Sequence, residues 1–268
     1  MAEAFKFSGE GAKNYDQYLG PILFEPYAID LVSKIDSPGI KSVLEIASGT
    51  GRVTRHLRNR FKAPVKLVAS DINADMLNVA ETQLKDGSIE FKVEDAQNLS
   101  FPDNSFDLVV CQFGLMFLPD KKKGLSEAMR VLKPGGKYIF STWDKTSNVP
   151  LLKLIFNDTI LPYFKGEDTN RFLVPFSLFD PALLENWMKE AGFRNIKIEH
   201  VVLPSKATAA KEIVNAFFIK HSLGNEVAAK DPADFDKMAK KMEEEITRQF
   251  GATDINFELA AFVATGEK

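Results

Sequence analysis

The feature that most limits the fold is a rhythm. From Lys41 to Trp143, short β-rich runs alternate with amphipathic stretches. Residues 42–46, 66–70, 89–93, 106–111 and 136–142 read as strands, and helical patterns fall at 51–60, 74–84 and 121–132. Strands joined through helices pair in parallel, so the pattern implies βαβ units and one sheet with helices on both faces. After Trp143 the rhythm breaks, and residues 148–180, rich in Leu, Phe and Pro, read as irregular helices. Asp180, Pro181 and Gly192 are the cap, first-turn and stop residues of a helix over 181–191. Residues 194–203 read as a sixth strand and 256–264 as a last one, with helical patterns at 208–222 and 233–249 inserted between them. In the second insert Phe235, Met238, Met242, Ile246 and Phe250 form one apolar stripe. Residues 1–40 read as partly aromatic helix with breaks at Gly20-Pro21 and Pro38-Gly39. The expected layout is an N-terminal helical cover over 1–40, a core over 41–147, and cap segments over 148–268 interleaved with the last core helix and strands, all one domain.

Composition narrows the function classes. At 268 residues, with 45% hydrophobic and 26% charged, the chain can bury a sizeable core without staples. Lys+Arg of 34 against Asp+Glu of 37 argues against a dedicated nucleic-acid binder. A lone cysteine, Cys111, makes neither an internal disulfide nor a cysteine zinc site, and it reads as a buried, inert thiol. No spacing suggests a metal site. With no secretory apolar core and no bilayer-length apolar run, a cytoplasmic protein without integral membrane segments is expected.

Residues 43–57, VLEIASGTGRVTRHL, carry the most chemistry. A β run passes through Ala47-Ser48-Gly49-Thr50-Gly51 and opens a helix. Glycines permit both a sharp strand-to-helix turn and close approach of a ligand to the backbone, while the helix N-terminus offers free N–H groups. A tight turn without a ligand would look the same. A dinucleotide site wants a third glycine, and Thr54 stands there, which weakens that reading. Asp71 ends the second strand twenty positions after Gly51, where a carboxylate suits the two donors of a ribose diol. Its alternative role is N-cap of the helix that starts near Ala74.

Glu45-x-Ala47-x-Gly49-x-Gly51, the segment Phe101-Pro102-Asp103-Asn104-Ser105-Phe106-Asp107 and the run RVLKPGG over 130–136 together resemble the class I S-adenosylmethionine-dependent methyltransferases. The branch most resembled contains the ubiquinone and menaquinone biosynthesis methyltransferases. The resemblance is dense over 15–143, and departs from the family pattern at Ala47, where the first of three alternate glycines belongs. It implies a Rossmann-like, seven-stranded, mostly parallel sheet with an antiparallel last strand, and S-adenosylmethionine as cofactor with S-adenosylhomocysteine as product. It places Tyr15 and Tyr18 over the cofactor, and Glu45, Ala47, Ser48, Gly49 and Gly51 around its loop. Asp71 would hold the ribose, Ile72 and Met76 flank the adenine, and Asp95 with the backbone of Ala96 meet the adenine amino group. Gln112 and Phe113 would border the methionine end. The Asn/Asp-Pro-Pro-Tyr/Phe signature of enzymes that methylate amino nitrogens of nucleic acids or glutamine is absent.

Methyl transfer from a sulfonium needs an in-line nucleophile and exclusion of water, so the lack of a catalytic triad is no objection. A base is required only if the acceptor must lose a proton. The catalytic residue is not named by the sequence; of three histidines, His56 and His200 read as structural and His221 is the one candidate. The 22 phenylalanines need a home. Phe156, Tyr163, Phe172, Phe176 and Phe179, with Phe217 and Phe218, either form an apolar pocket with Trp143 or simply pack the cap onto the sheet. The resulting expectation is a small apolar or aromatic acceptor in a pocket of Phe117, Trp143, Phe176, Phe217 and His221. Two alternatives stand beside it: an NAD(P)-dependent oxidoreductase in the same crevice, and a non-catalytic or macromolecule-directed member of the fold. The run Lys121-Lys122-Lys123 reads as a solvated turn.

Overall fold

Along the central strands, apolar side chains alternate between two cores. Val43, Leu67, Ala69, Leu108 and Val110 join one cluster with Leu31, Val53 and Leu57, while Leu44, Ile46, Val68, Val109 and Cys111 join the other with Leu125, Ala128 and Met188. Period-two alternation with both faces covered produces strands that are apolar throughout, as a doubly covered parallel sheet requires. The structure, a computed structural model, describes residues 9–36 and 38–268. The first eight residues of the expected N-terminal cover, and Ser37, lie outside the described residues.

The strands are β1 (Ser42–Ile46), β2 (Lys66–Asp71), β3 (Ile89–Val93), β4 (Phe106–Gln112), β5 (Leu132–Trp143), β6 (Arg194–Ala209) and β7 (Thr253–Glu267). They form one seven-stranded sheet in the order β3-β2-β1-β4-β5-β7-β6, parallel through β5, with β7 antiparallel to both β5 and β6. The chain runs outward one way from β1 to β3 and the other way from β4, so the topological switch lies between β1 and β4. A crevice opens there, beyond the carboxyl ends of the strands.

Three strands, β5, β6 and β7, extend past their expected limits, β6 the furthest. β6 continues through Pro204 to Ala209, paired with β7 from Arg194↔Glu267 to Ala209↔Thr253. Proline is tolerated because β6 is the sheet edge, where one side of the strand has no ladder partner. The extended ribbon delivers the inserted helices, including Ser222–Lys230 and Pro232–Phe250, over the carboxyl edge of the sheet. The N-terminal segment does not break at Gly20-Pro21. Helix continues over 10–33, and its Tyr15–Phe24 stretch is π-helical, a wide turn that accommodates the missing N–H of Pro21. The Arg52 guanidinium packs against Gly20, in the space a Cβ would fill. Arg52 pairs with Asp16 and Glu25, each at 3.1 Å, and Asp16 also accepts from Thr50 Oγ1 and Gln83 Nε2, each at 2.7 Å. This network ties the cover to the loop after β1. Among the described residues no helix is long and apolar enough to cross a membrane.

The segments over 101–107 and 130–136 act at the opposite end of the sheet. Asp107 accepts from Lys41 N, Ser42 N and Ser42 Oγ and pairs with Lys133 at 2.9 Å, locking the starts of β1, β4 and β5 together. Arg130 pairs with Glu127 and Asp103 and donates to the Leu99 and Phe101 carbonyls.

Candidate active site

The loop after β1 turns through left-handed residues: Ala47 at φ 53°, Gly49 at φ 55° and Gly51 at φ 82°. At Gly49 a Cβ would make only ordinary contact, with Met76 Cε at 3.7 Å, and its N–H donates to Asp71 Oδ2 at 2.8 Å. Gly51 serves packing: a Cβ there would meet Leu84 at 3.0 Å and Ala80 at 3.1 Å. Position 47 therefore needs more than a small side chain; it needs a residue that takes positive φ. Its methyl is admitted because Gly114 faces it across the crevice, where a Cβ would lie 2.5 Å from Ala47 Cβ.

Asp71 is not the cap of the following helix. Asn73 is, accepting from Asp75 N at 2.9 Å and Met76 N at 3.4 Å. That leaves Asp71 at the end of β2, held by N–H groups of Gly49 and Asn73, with burial pushing its carboxyl up despite those bonds. Glu45 is buried beneath the loop and accepts from Thr54 Oγ1 at 2.6 Å. Burial above all, with the nearby Asp71 charge, pushes it up to about 8. Thr54, in place of the third glycine, thus serves as partner to a buried acid.

A cavity of about 310 Å³ opens at this switch point. Of the expected cofactor residues, Tyr15, Ala47, Gly49, Asp71, Ile72, Met76, Asp95, Ala96, Gln112 and Phe113 line it. Tyr18, Glu45, Ser48 and Gly51 do not; Glu45, Ser48 and Gly51 shape the loop from behind, and Tyr18 packs against the apolar core. Sequence reasoning missed Ile46, Asn73, Glu94, Gln97, Gly114, Leu118 and Pro119 on the wall. The signal available was position, since all follow or end strands at the carboxyl edge. Among the described residues, three carboxylates (Asp71, Glu94, Asp95) and no Lys or Arg line the cavity. Gln112 Nε2 donates to the Phe24 carbonyl, whereas its buried Oε1 has no partner among the described residues. Such a wall suits a cationic ligand rich in donors and repels a pyrophosphate.

Next to it lies an aromatic cavity of about 80 Å³ that shares Tyr15, Phe113 and Phe117 with the first. All five residues expected in the substrate pocket, Phe117, Trp143, Phe176, Phe217 and His221, line it, together with Leu19, Leu23, Phe24, Phe156 and Pro175. Phe113 sits at φ 52°, a strained conformation for a bulky residue, and is held by stacking on Trp143 at 3.7 Å and 5° with Tyr27 edge-on at 5.4 Å. The two readings of the phenylalanine surplus divide between residues. Phe156, Phe176 and Phe217 face the cavity, whereas Phe172 and Phe218 are fully buried in the core. Tyr163 donates to Asp234 at 3.1 Å. His56 pairs with Glu25 and His200 with Asp144. Burial lowers His221 to about 4, and its Nδ1 accepts from Leu223 N at 3.2 Å, which puts the proton of the neutral ring on Nε2. Cys111 is buried with its thiol pushed up to about 12.

Comparison with known proteins gives the same direction. Residues 44–140 match a methyltransferase domain family. The chain is 36% identical over 174 residues to the ubiquinone/menaquinone biosynthesis C-methyltransferase UbiE of Hahella chejuensis, covering 59% of this chain and 70% of that protein. It is 34% identical over 198 residues to the protein of that name from Pseudomonas savastanoi, covering 65% and 72%. Among solved structures, the phosphoethanolamine N-methyltransferase 2 of Haemonchus contortus in complex with S-adenosyl-L-methionine superposes with a TM-score of 0.60 at 19% identity, over 98% of this chain and 58% of that one. The YcgJ protein of Bacillus subtilis superposes with a TM-score of 0.58 at 19% identity, over 90% and 98%. With the glycine loop, the acid at the end of β2 and an anionic cavity at the switch point, these likenesses place the chain in the class I S-adenosylmethionine-dependent methyltransferases, the family to which it belongs.

Proposed function

We propose that this enzyme transfers the methyl group to a small aromatic acceptor seated in the cavity lined by Trp143, Phe176, Phe217 and His221. The observation that carries the reading is the shared wall: Tyr15, Phe113 and Phe117 line both cavities, so a ligand in one abuts a ligand in the other. Bound S-adenosylmethionine supplies an electrophilic methyl on a sulfonium. Asp71 would hold its ribose and Asp95 its adenine end, while the unpartnered Gln112 Oε1 offers an acceptor to its ammonium. The aromatic rings exclude water and orient the acceptor, which is most of what an in-line displacement asks of the protein. The stack of Phe113 on Trp143 fixes the partition between donor and acceptor. The names of the relatives as C-methyltransferases in quinone biosynthesis support a ring carbon as the accepting atom: the new C–C bond forms as the C–S bond breaks, and the displaced ring proton passes to solvent after the transfer.

His221 acts in this reading as a hydrogen-bond donor to an oxygen on the acceptor. Its lowered pKa keeps it uncharged, and Nδ1 is engaged by the Leu223 N–H, so it is not the proton acceptor. The test is a methyl-transfer screen with hydroxylated aromatic rings against aliphatic amines, the product read by mass spectrometry. Phe217→Trp, which fills the cavity, should raise KM for the aromatic acceptor about tenfold or more while S-adenosylhomocysteine affinity holds. His221→Phe should raise KM, with no acid limb near pH 6 to 7 in the wild-type kcat profile. Equal turnover of amines, or indifference to Phe217→Trp, would remove the acceptor assignment.

A further inference from the structure

Behind the aromatic cavity lies a third hollow of about 540 Å³, and its chemistry is different. Lys121, Lys145, Ser147, Asn170 and Ser177 line it, and among the described residues no Asp or Glu does. Phe176 is common to this groove and the aromatic cavity, so one ring forms part of the wall of each. Met116 faces the groove while its neighbour Phe117 faces the aromatic side.

The three-lysine run at 121–123 resolves into unlike residues. Lys122 pairs with Glu190 at 2.7 Å and Lys123 reaches Glu127 at 4.0 Å. Lys121 is half-buried and, among the described residues, has no carboxylate within ion-pair distance; its Nζ donates to the Leu118 carbonyl at 3.1 Å. Burial alone pulls its pKa down, with no negative charge to offset it. Lys145 likewise has no carboxylate partner among the described residues and lies over the Phe179 ring at 4.3 Å. Two ammonium groups, hydroxyls and an amide around one hollow, with apolar rings at its inner wall, describe the recognition of an anion attached to an apolar body.

We propose that this groove binds an anionic group, phosphate or carboxylate, carried by the methyl acceptor itself, with Lys121 and Lys145 as its counter-charges and Phe176 against its apolar part. The inference rests on the aromatic cavity being the acceptor site. It narrows the acceptor from an aromatic molecule to an aromatic acid or phosphate.

The probes are 1-naphthyl phosphate, 1-naphthol and inorganic phosphate, titrated by calorimetry into the full chain with S-adenosylhomocysteine present. The phosphate ester should bind about tenfold or more tightly than either naphthol or phosphate. Lys121→Gln and Lys145→Gln should each weaken it about five- to tenfold and leave naphthol affinity unchanged, a loss scaled down for the exposure of the groove. Unchanged melting temperature with S-adenosylhomocysteine shows that the variants fold. If the ester and naphthol bind alike, or the lysine variants bind the ester as wild type does, the anion site is wrong. If inorganic phosphate binds as tightly as the ester, the groove holds a free anion and its link to the acceptor is wrong. If naphthol fails to bind while the ester binds and depends on the lysines, the aromatic cavity reading fails and the anion site stands without it.

Discussion

Gly114 offers the sharpest test of how the crevice is built. Its backbone, at φ −102° and ψ −38°, is open to any residue, so alanine there adds no backbone strain. The added methyl would lie 2.5 Å from Ala47 Cβ and 2.8 Å from Cys111 Sγ. Carbon contacts settle at about 3.5–4.0 Å, so the loop after β1 and the end of β4 must separate by about 1 Å. Overpacking of this kind costs about 1–3 kcal/mol, which for a chain of this length is a fall of about 2–10 °C in melting temperature. Ala47→Gly alone should be neutral or stabilising by up to about 1 kcal/mol, because glycine takes φ 53° without strain but loses more chain entropy. The double variant removes the worse clash and leaves the sulfur contact, so its cost should be smaller than the sum of the singles by about 1 kcal/mol or more. Thermal melting of the four proteins, with and without S-adenosylhomocysteine, closes the cycle. Strict additivity would refute the claim that Gly114 exists to admit Ala47.

Three further outcomes follow from the same geometry. Asp71→Ala should abolish the melting shift produced by S-adenosylmethionine and S-adenosylhomocysteine, corresponding to a loss of about 2–3 kcal/mol of charge-assisted bonding; a retained shift would move the ribose site elsewhere. Glu45 has its folded pKa raised from 4.5 to about 8, so the stability it contributes is complete below about pH 4.5 and lost as pH rises through 8. Glu45→Gln keeps an acceptor for Thr54 and should match wild type in acid but exceed it above pH 8 by a few kcal/mol, as urea unfolding across pH will reveal; parallel pH curves would show that Glu45 ionises freely. Arg52→Met cuts the ion pairs to Asp16 and Glu25, and hydrogen exchange over 10–33 should quicken while the β1 amides stay protected; equal quickening in β1 would mean general destabilisation.

Much of the core was legible because its signals are local. The strand–glycine–helix turn, the acid twenty residues on and the turn residues before β4 each act on their own backbone, whereas the Pro-Gly-Gly run at 134–136 lies inside β5 instead of ahead of it. Beyond Trp143 legibility fell. Pro204 reads as the end of a strand, yet it sits inside β6 because an edge position needs no second ladder partner. Gly20-Pro21 reads as a break, yet π-helix runs through it, with the distant Arg52 guanidinium packed against the glycine. At the site, Glu45 and Gly51 sit close in sequence to the cavity residues but face inward from the loop, and no spacing rule distinguishes a residue that touches the ligand from one that props the residue that does.

The residue order by itself determined the parallel core, the crevice at its switch point and the family of the cofactor, because hydrophobic period and loop chemistry are properties of short segments. Only the tertiary structure decided which phenylalanines enclose space and which fill it. It alone separated Lys121 from its neighbours, and matched Ala47 to Gly114 across the crevice. Those choices depend on contacts between residues tens of positions apart, and a side chain's environment is fixed by whatever packs against it from elsewhere in the chain.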